Sequence, residues 1–218
     1  MESKQCKTGI IKDINSKFDF IIKVEVVGDS QVGKTSIQKK LIKEEFHEEY
    51  KPTKGYEFNT YLIKVNDIIL KFQIWDMSGE ESYRTNLLHL YRNASFGILV
   101  YSVCSRESFN NLEKWINQLR IKAPLAKIIL LGNKIDLQDK REVSYKEGKD
   151  FCEKYNLEYF TEVSAKNGFD GPNFMEIVAI SLYKDNEEDG NDKTFEKINE
   201  SIMLTNSVKG KLKFKNCC

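Results

Sequence analysis

Gly28-Asp-Ser-Gln-Val-Gly-Lys-Thr35 is the stretch that decides how this chain folds. It fits G-x-x-x-x-G-K-[ST], the phosphate-binding loop, without a gap. The apolar run Phe20-Ile-Ile-Lys-Val-Glu-Val-Val27 leads into it and predicts a buried strand, and Ser36–Ile42 follows with an amphipathic helical pattern. Strand, loop and helix in that order are the context the pattern needs. Glycine at 28 and 33 lets the backbone turn tightly and bring successive N–H groups against a polyphosphate. The start of a helix adds partial positive charge aimed at the same anion. Lys34 has the reach for the β- and γ-phosphates, and the Thr35 hydroxyl is placed to ligate Mg²⁺.

Working outward, strand and helix patterns alternate along the rest of the chain. Tyr56–Val65 and Ile68–Trp75 are strand-like runs divided by the turn residues Asn66-Asp67, which predicts an antiparallel hairpin. A helix is expected over Thr85–Arg92, a buried strand over Phe96–Val103 and a helix over Ser105–Ile121, with Leu112, Trp115, Ile116 and Leu119 on one side. Strands are expected at Lys127–Leu131 and Glu158–Val163. Between them Ser144 and Glu147 form a capping box for a helix ending near Tyr155. The last helix includes Phe174–Tyr183. The expected architecture is a three-layer α/β domain: a six-stranded, mostly parallel sheet with one antiparallel strand, and helices on both faces.

Composition bounds the rest. The chain has 218 residues, enough for one domain with tails, and its apolar fraction of 40% suffices for a core. A formal net charge of +1 points to no nucleic-acid partner. The five cysteines, at 6, 104, 152, 217 and 218, show no paired metal spacing and suggest a reducing compartment. Residues 1–17 are polar and lysine-rich, and are expected to form a loosely ordered arm before a folded domain over 18–184. Residues 185–200 carry seven acids against two lysines, so 185–218 is expected to be a disordered tail. It ends with Lys209, Lys211, Lys213 and Lys215, followed by Cys217 and Cys218.

Four later stretches narrow the nucleotide. Thr53 follows Thr35 on a polar segment, where a second hydroxyl can complete a Mg²⁺ shell and sense a γ-phosphate. Trp75-Asp-Met-Ser-Gly-Glu-Glu81 begins where a strand ends; Asp76 can hold Mg²⁺ through water, and Gly79 can offer its N–H to the γ-phosphate. Asn133-Lys-Ile-Asp136 follows a strand, and a carboxylate there accepts from the N1–H and N2–H₂ edge of guanine, a donor pair adenine lacks. Ser164-Ala-Lys166 can close over the base with a backbone N–H to the guanine O6.

With those five stretches in hand, the chain resembles the Ras-like small GTPases over about Phe18 to Lys184, and the Rab family most closely. Tyr50-Lys-Pro-Thr-Lys-Gly-Tyr-Glu-Phe58 resembles the first Rab switch, with Lys54 and Tyr56 where isoleucines are usual. Lys71–Asp76, Ser82–Thr85 and Leu90–Ala94 resemble the strand into the second switch and the segments after it. The resemblance implies GTP or GDP with Mg²⁺ as cofactor. It implies nucleotide contacts from Ser30, Gln31, Val32, Gly33, Lys34, Thr35, Ser36, Phe46, Thr53, Gly79, Asn133, Lys134, Asp136, Ser164, Ala165 and Lys166. The metal falls to Thr35, Thr53 and Asp76. It further implies a GTP hydrolase in vesicle trafficking, monomeric and cycling between a cytosolic pool and the cytoplasmic face of an intracellular membrane. Its expected partners are effectors, an exchange factor, an activating protein, a prenylation escort and a GDP-dissociation inhibitor. Cys217 and Cys218 match the family's doubly geranylgeranylated end.

Two departures bear on activity. Met77-Ser78 replaces the usual Thr-Ala, and Glu80 stands where the family has the glutamine that orients the attacking water. The resemblance therefore leaves two readings open, a switch with slow intrinsic hydrolysis and a GTP-locked membrane scaffold. A phosphate-loop kinase would need a basic lid, and the sequence offers none.

Overall fold

The computed structural model describes residues 7–43, 53, 55–78, 94–167 and 171–188. The strands are β1 (Thr8–Ile11), β2 (Phe20–Val27), β3 (Tyr56–Val65), β4 (Ile68–Met77), β5 (Phe96–Ser102), β6 (Lys127–Asn133) and β7 (Tyr159–Glu162). The described helices are α1 (Lys34–Lys43), α2 (Arg106–Asn110), α3 (Leu112–Lys122), α4 (Tyr145–Lys154) and α5 (Gly171–Glu188). The expected helix over Thr85–Arg92 lies outside the described residues.

One sheet runs in the order β1-β3-β4-β2-β5-β6-β7. Its β4-β2-β5-β6-β7 part is parallel, and β3 alone runs against the rest, pairing antiparallel with both β4 and β1. Every residue of β5 is buried, as expected of a central strand covered on both faces. On one face Ile22, Val24 and Val26 of β2 pack with Ile37 and Leu41 of α1 and Met175 and Val178 of α5. On the other, Val27, Leu99 and Leu130 meet Leu112, Trp115, Ile116 and Leu119 of α3. Three layers result, as the alternating pattern predicts.

The sheet has seven strands where six are expected, and the seventh comes from the segment read as a loosely ordered arm. Thr8–Ile11 pairs with Val65–Leu62 of β3. The Lys7 N–H donates to Asn66 Oδ1 at 3.0 Å, and the Asn66 N–H returns a bond to the Lys7 carbonyl at 2.8 Å. Thr8 Oγ1 donates to Glu176 Oε2 of α5 at 2.6 Å. The β3 edge would otherwise present unpaired backbone, and β1 covers part of it. A second correction concerns the helix expected over Ser105–Ile121, which breaks at Asn111 into α2 and α3. The capping box forms as read: the Ser144 N–H donates to Glu147 Oε2 at 2.9 Å, and the Glu147 N–H donates to Ser144 Oγ at 3.3 Å.

Candidate functional site

The site is assembled from the carboxyl ends of four parallel strands, where open α/β sheets carry their ligands. β2 delivers the loop 28–33, β4 delivers Asp76, β6 delivers Asn133 and β7 is followed by Ser164. The two loop glycines are required by space as well as by conformation. A Cβ on Gly28 (φ +145°) would lie 2.1 Å from the Val100 carbonyl oxygen, and one on Gly33 (φ +97°) would lie 2.3 Å from Asn133 Nδ2. Gln31, an exposed non-glycine residue, also takes a left-handed φ of 63°, which costs about 1 kcal/mol. The backbone thus curls into a concavity immediately before α1, the kind of turn in which successive N–H groups can face an anion. Lys34 is almost buried, and its Nζ donates to the Asp29 carbonyl at 2.7 Å across the loop.

Three oxygens from distant parts of the chain meet beside this loop. Thr35 Oγ1 lies 2.9 Å from Thr53 Oγ1 and donates to Asp76 Oδ2 at 2.5 Å. Asp76 is fully buried, and burial raises its carboxyl to about 6 against the Thr35 hydrogen bond and the Lys34 charge, which lower it. Its other oxygen, Oδ1, is buried with no hydrogen-bond partner among the described residues. The Ser78 N–H donates to the Gly55 carbonyl at 2.9 Å, which ties the end of β4 to the segment carrying Thr53.

On the far side of the loop, Asn133 joins three motifs. Its Nδ2 donates to the Val32 carbonyl at 2.9 Å, and its Oδ1 accepts from the Ala165 N–H at 3.1 Å. Asp136 stands exposed beyond it, with Oδ1 accepting from Ser164 Oγ at 2.7 Å. Ser164 Oγ in turn accepts from the Asn167 N–H at 2.8 Å, so the loop that carries Lys166 is fixed to the same group. Lys134 has a left-handed φ of 71°, and burial lowers its ammonium pKa. The structure therefore brings together the predicted residues of the loop, Thr53, Asp76, Asn133–Asp136 and Ser164–Lys166. Phe46, Gly79, Glu80, Cys217 and Cys218 lie outside the described residues.

One anchor of this site is absent from the motif reading. Asp29 Oδ2 accepts from Asn111 Nδ2 at 2.8 Å, and its Oδ1 accepts from Trp115 Nε1 at 2.8 Å. The apolar spacing of α3 marked Trp115 as core, and nothing in that spacing signals its indole N–H.

The model for the Ras family matches residues 23–182. The chain is 37% identical over 170 residues to "Ras-related protein RABA4b" of Arabidopsis thaliana, covering 78% of this chain and 75% of that protein. It is 38% identical over 175 residues to "Ras-related protein Rab-11B" of Dictyostelium discoideum, covering 77% and 78%. The chain belongs to the Rab small GTPases of the Ras family. It is thus a GTP hydrolase, and Ras-family GTPases bind GTP or GDP with Mg²⁺. The residues present fit the metal: the Thr35 hydroxyl joins the Thr53 hydroxyl to a buried carboxylate whose second oxygen has no partner among the described residues, an oxygen-only donor set suited to a hard cation. Among the described residues no helix is long and apolar enough to cross a membrane.

Proposed function

We propose that this GTPase is a membrane-recruited Rab switch in vesicle trafficking, cycling between GTP and GDP and binding effectors in the GTP form. The observation that carries the reading is the convergence of Thr35, Thr53 and Asp76. Thr53 comes from the segment between α1 and β3, yet its hydroxyl reaches the phosphate-loop threonine. A residue so placed can follow the state of the terminal phosphate and pass it to the adjoining strand. That strand begins with Tyr56 and Phe58, both exposed and both tilted against Trp75 with centroids 5.2 and 4.7 Å away. They give effectors an apolar face that moves with Thr53.

In this reading Lys34 and the loop N–H groups hold the phosphates, and Thr35, Thr53 and Asp76 hold Mg²⁺. The metal supplies charge neutralisation on the phosphates. Asp136 accepts from the guanine edge, Ala165 and Lys166 close over the base, and Phe46 packs against it. Gly79 donates to the γ-phosphate. Glu80 accepts a hydrogen bond from the attacking water but, unlike glutamine, has no amide to donate, and its charge opposes that gathered on the transferring group. The chain's own chemistry is thus slow, and an activating protein supplies the missing donors in trans.

Single-turnover GTP hydrolysis without an activator tests this directly. Glu80→Gln is expected to be faster than wild type by up to roughly 10²–10³-fold, the scale of one well-placed donor. An equal or slower rate in the glutamine variant would remove Glu80 as the cause, and a wild-type rate of zero even with an activator would favour the GTP-locked scaffold.

The membrane part of the reading rests on the pair Cys217-Cys218 and the lysines before it. Two lipid chains anchor stably where one is marginal, and Cys217 with Cys218 can carry two. The four lysines before them each add about 1 kcal/mol at an anionic leaflet. Deleting the two cysteines is expected to move the protein from the membrane to the soluble fraction of a cell lysate while leaving its bound GDP unchanged. Membrane retention after the deletion would contradict the lipid anchor.

A further inference from the structure

We infer that Asp29 is a positioning residue for the phosphate loop, clamped by Trp115 and Asn111 so that the loop keeps its grip on nucleotide phosphates. The inference rests on the reading that the loop 28–35 holds those phosphates. A carboxylate in an anion-binding loop is otherwise a poor choice, because its charge repels the ligand. Here both of its oxygens are turned onto separate donors, Asn111 Nδ2 and Trp115 Nε1, each at 2.8 Å. Hydrogen bonds to a charged acceptor are the strong ones, and these two take up the carboxylate's charge on the side of α3.

Both donors are fixed. Trp115 is 1% exposed and packed among Val27, Leu99, Leu112 and Leu119, so its N–H cannot follow a moving loop. Asn111 stands at the N-cap of α3, a place where asparagine ordinarily bonds the first turn of its own helix. It makes no side-chain cap bond there and donates to Asp29 instead. The break between α2 and α3 is therefore shaped around the loop rather than around the helix. The backbone of Asp29 completes the link, since its carbonyl accepts from Lys34 Nζ at 2.7 Å. Core, Asp29 side chain, Asp29 carbonyl and the phosphate-binding lysine form one chain of contacts. Release of the clamp would free the loop and let Lys34 wander from the place where phosphates bind.

A tether that served only the fold would change stability alone. The test is therefore a comparison of nucleotides on the full-length protein, using Asp29→Ala, Asn111→Ala and Trp115→Phe. GDP and GMP affinities are measured by competition, with GDP dissociation rates and melting temperatures alongside. Asp29→Ala is expected to release GDP at least tenfold faster and to narrow the GDP:GMP affinity ratio. Asn111→Ala, at a half-buried position, is expected to show the same change on a smaller scale. Asp29→Ala combined with Trp115→Phe should be no worse in GDP release than the worse single variant, because the hydrogen bond that Trp115→Phe removes is already lost in Asp29→Ala. Melting temperatures that fall while release rates and the GDP:GMP ratio stay at wild-type values would overturn the inference. A wild-type protein that held GMP as tightly as GDP would instead overturn the underlying phosphate-loop reading.

Discussion

Raising the pH of the GDP-loaded protein from 4.5 to 8 is expected to lower its melting temperature by roughly 10–20 °C, and Glu25→Gln is expected to remove most of that slope. Glu25 sits within β2, fully buried, with Trp75 of β4 and Gly97 of β5 opposite it in register. Among the described residues its charged partner is Lys23, whose Nζ lies 3.3 Å from Oε1. Loss of hydration outweighs that attraction and pushes the carboxyl from 4.5 to about 8. Between these values the folded protein holds a proton that the unfolded chain gives up. The contribution of this carboxyl to stability is therefore fully present below pH 4.5, falls as the pH rises, and is lost through pH 8. At about 1.4 kcal/mol per pH unit the whole span amounts to ~5 kcal/mol. The same titration on Glu25→Gln isolates the part that this carboxyl contributes. The glutamine variant should match wild type near pH 5 and exceed it at pH 8. Parallel curves for the two proteins would show that Glu25 does not carry the effect.

That carboxylate also marks a limit of reading the sequence. Phe20–Val27 is apolar enough to be recognised as a buried strand, and its bounds agree with the structure. The run itself hides the one acid inside it, because composition reports the average of a strand and not the cost at a position. β3 and the hairpin turn at Asn66-Asp67 were legible because the pairing is local. β1 was not: four residues in a lysine-rich segment carry little periodic signal, and their pairing with Val65–Leu62 is a long-range choice. The break at Asn111 was hidden for a related reason. Leu112, Trp115, Ile116 and Leu119 continue a helical stripe, whereas Asn111 itself is diverted to Asp29. The contacts among Thr35, Thr53 and Asp76 could be anticipated because their motifs each carry a chemical reason to meet. The Asp29 clamp joins residues 82 and 86 positions apart with no such motif, so only the folded chain brings it into view.

Asp136→Asn is expected to exchange the base the protein prefers, weakening GDP and strengthening xanthosine diphosphate until their affinity ratio changes by roughly 10⁴. The argument begins with the donor pattern. Guanine presents N1–H and an exocyclic N–H on one edge, and a carboxylate accepts both. Adenine offers an acceptor and a C–H there, so the same carboxylate meets a lone pair and the wild-type protein should reject ATP strongly. Xanthine keeps the N1–H but replaces the amino group with a carbonyl. It therefore wants one acceptor and one donor, which is what an asparagine amide provides. The site is built to hold that amide as it holds the acid. Ser164 Oγ donates to Asp136 Oδ1 at 2.7 Å and is itself fixed by the Asn167 N–H. With the asparagine oxygen on Ser164 and on the base N1–H, its Nδ2 faces the xanthine carbonyl. Asp136 is exposed, so the substitution leaves the core untouched and folding is expected to be unchanged. Competition of labelled GDP against unlabelled xanthosine diphosphate and ADP, on both proteins, gives the measurement. Retention of wild-type preference for GDP by the asparagine variant would mean that the guanine edge is read by some other group.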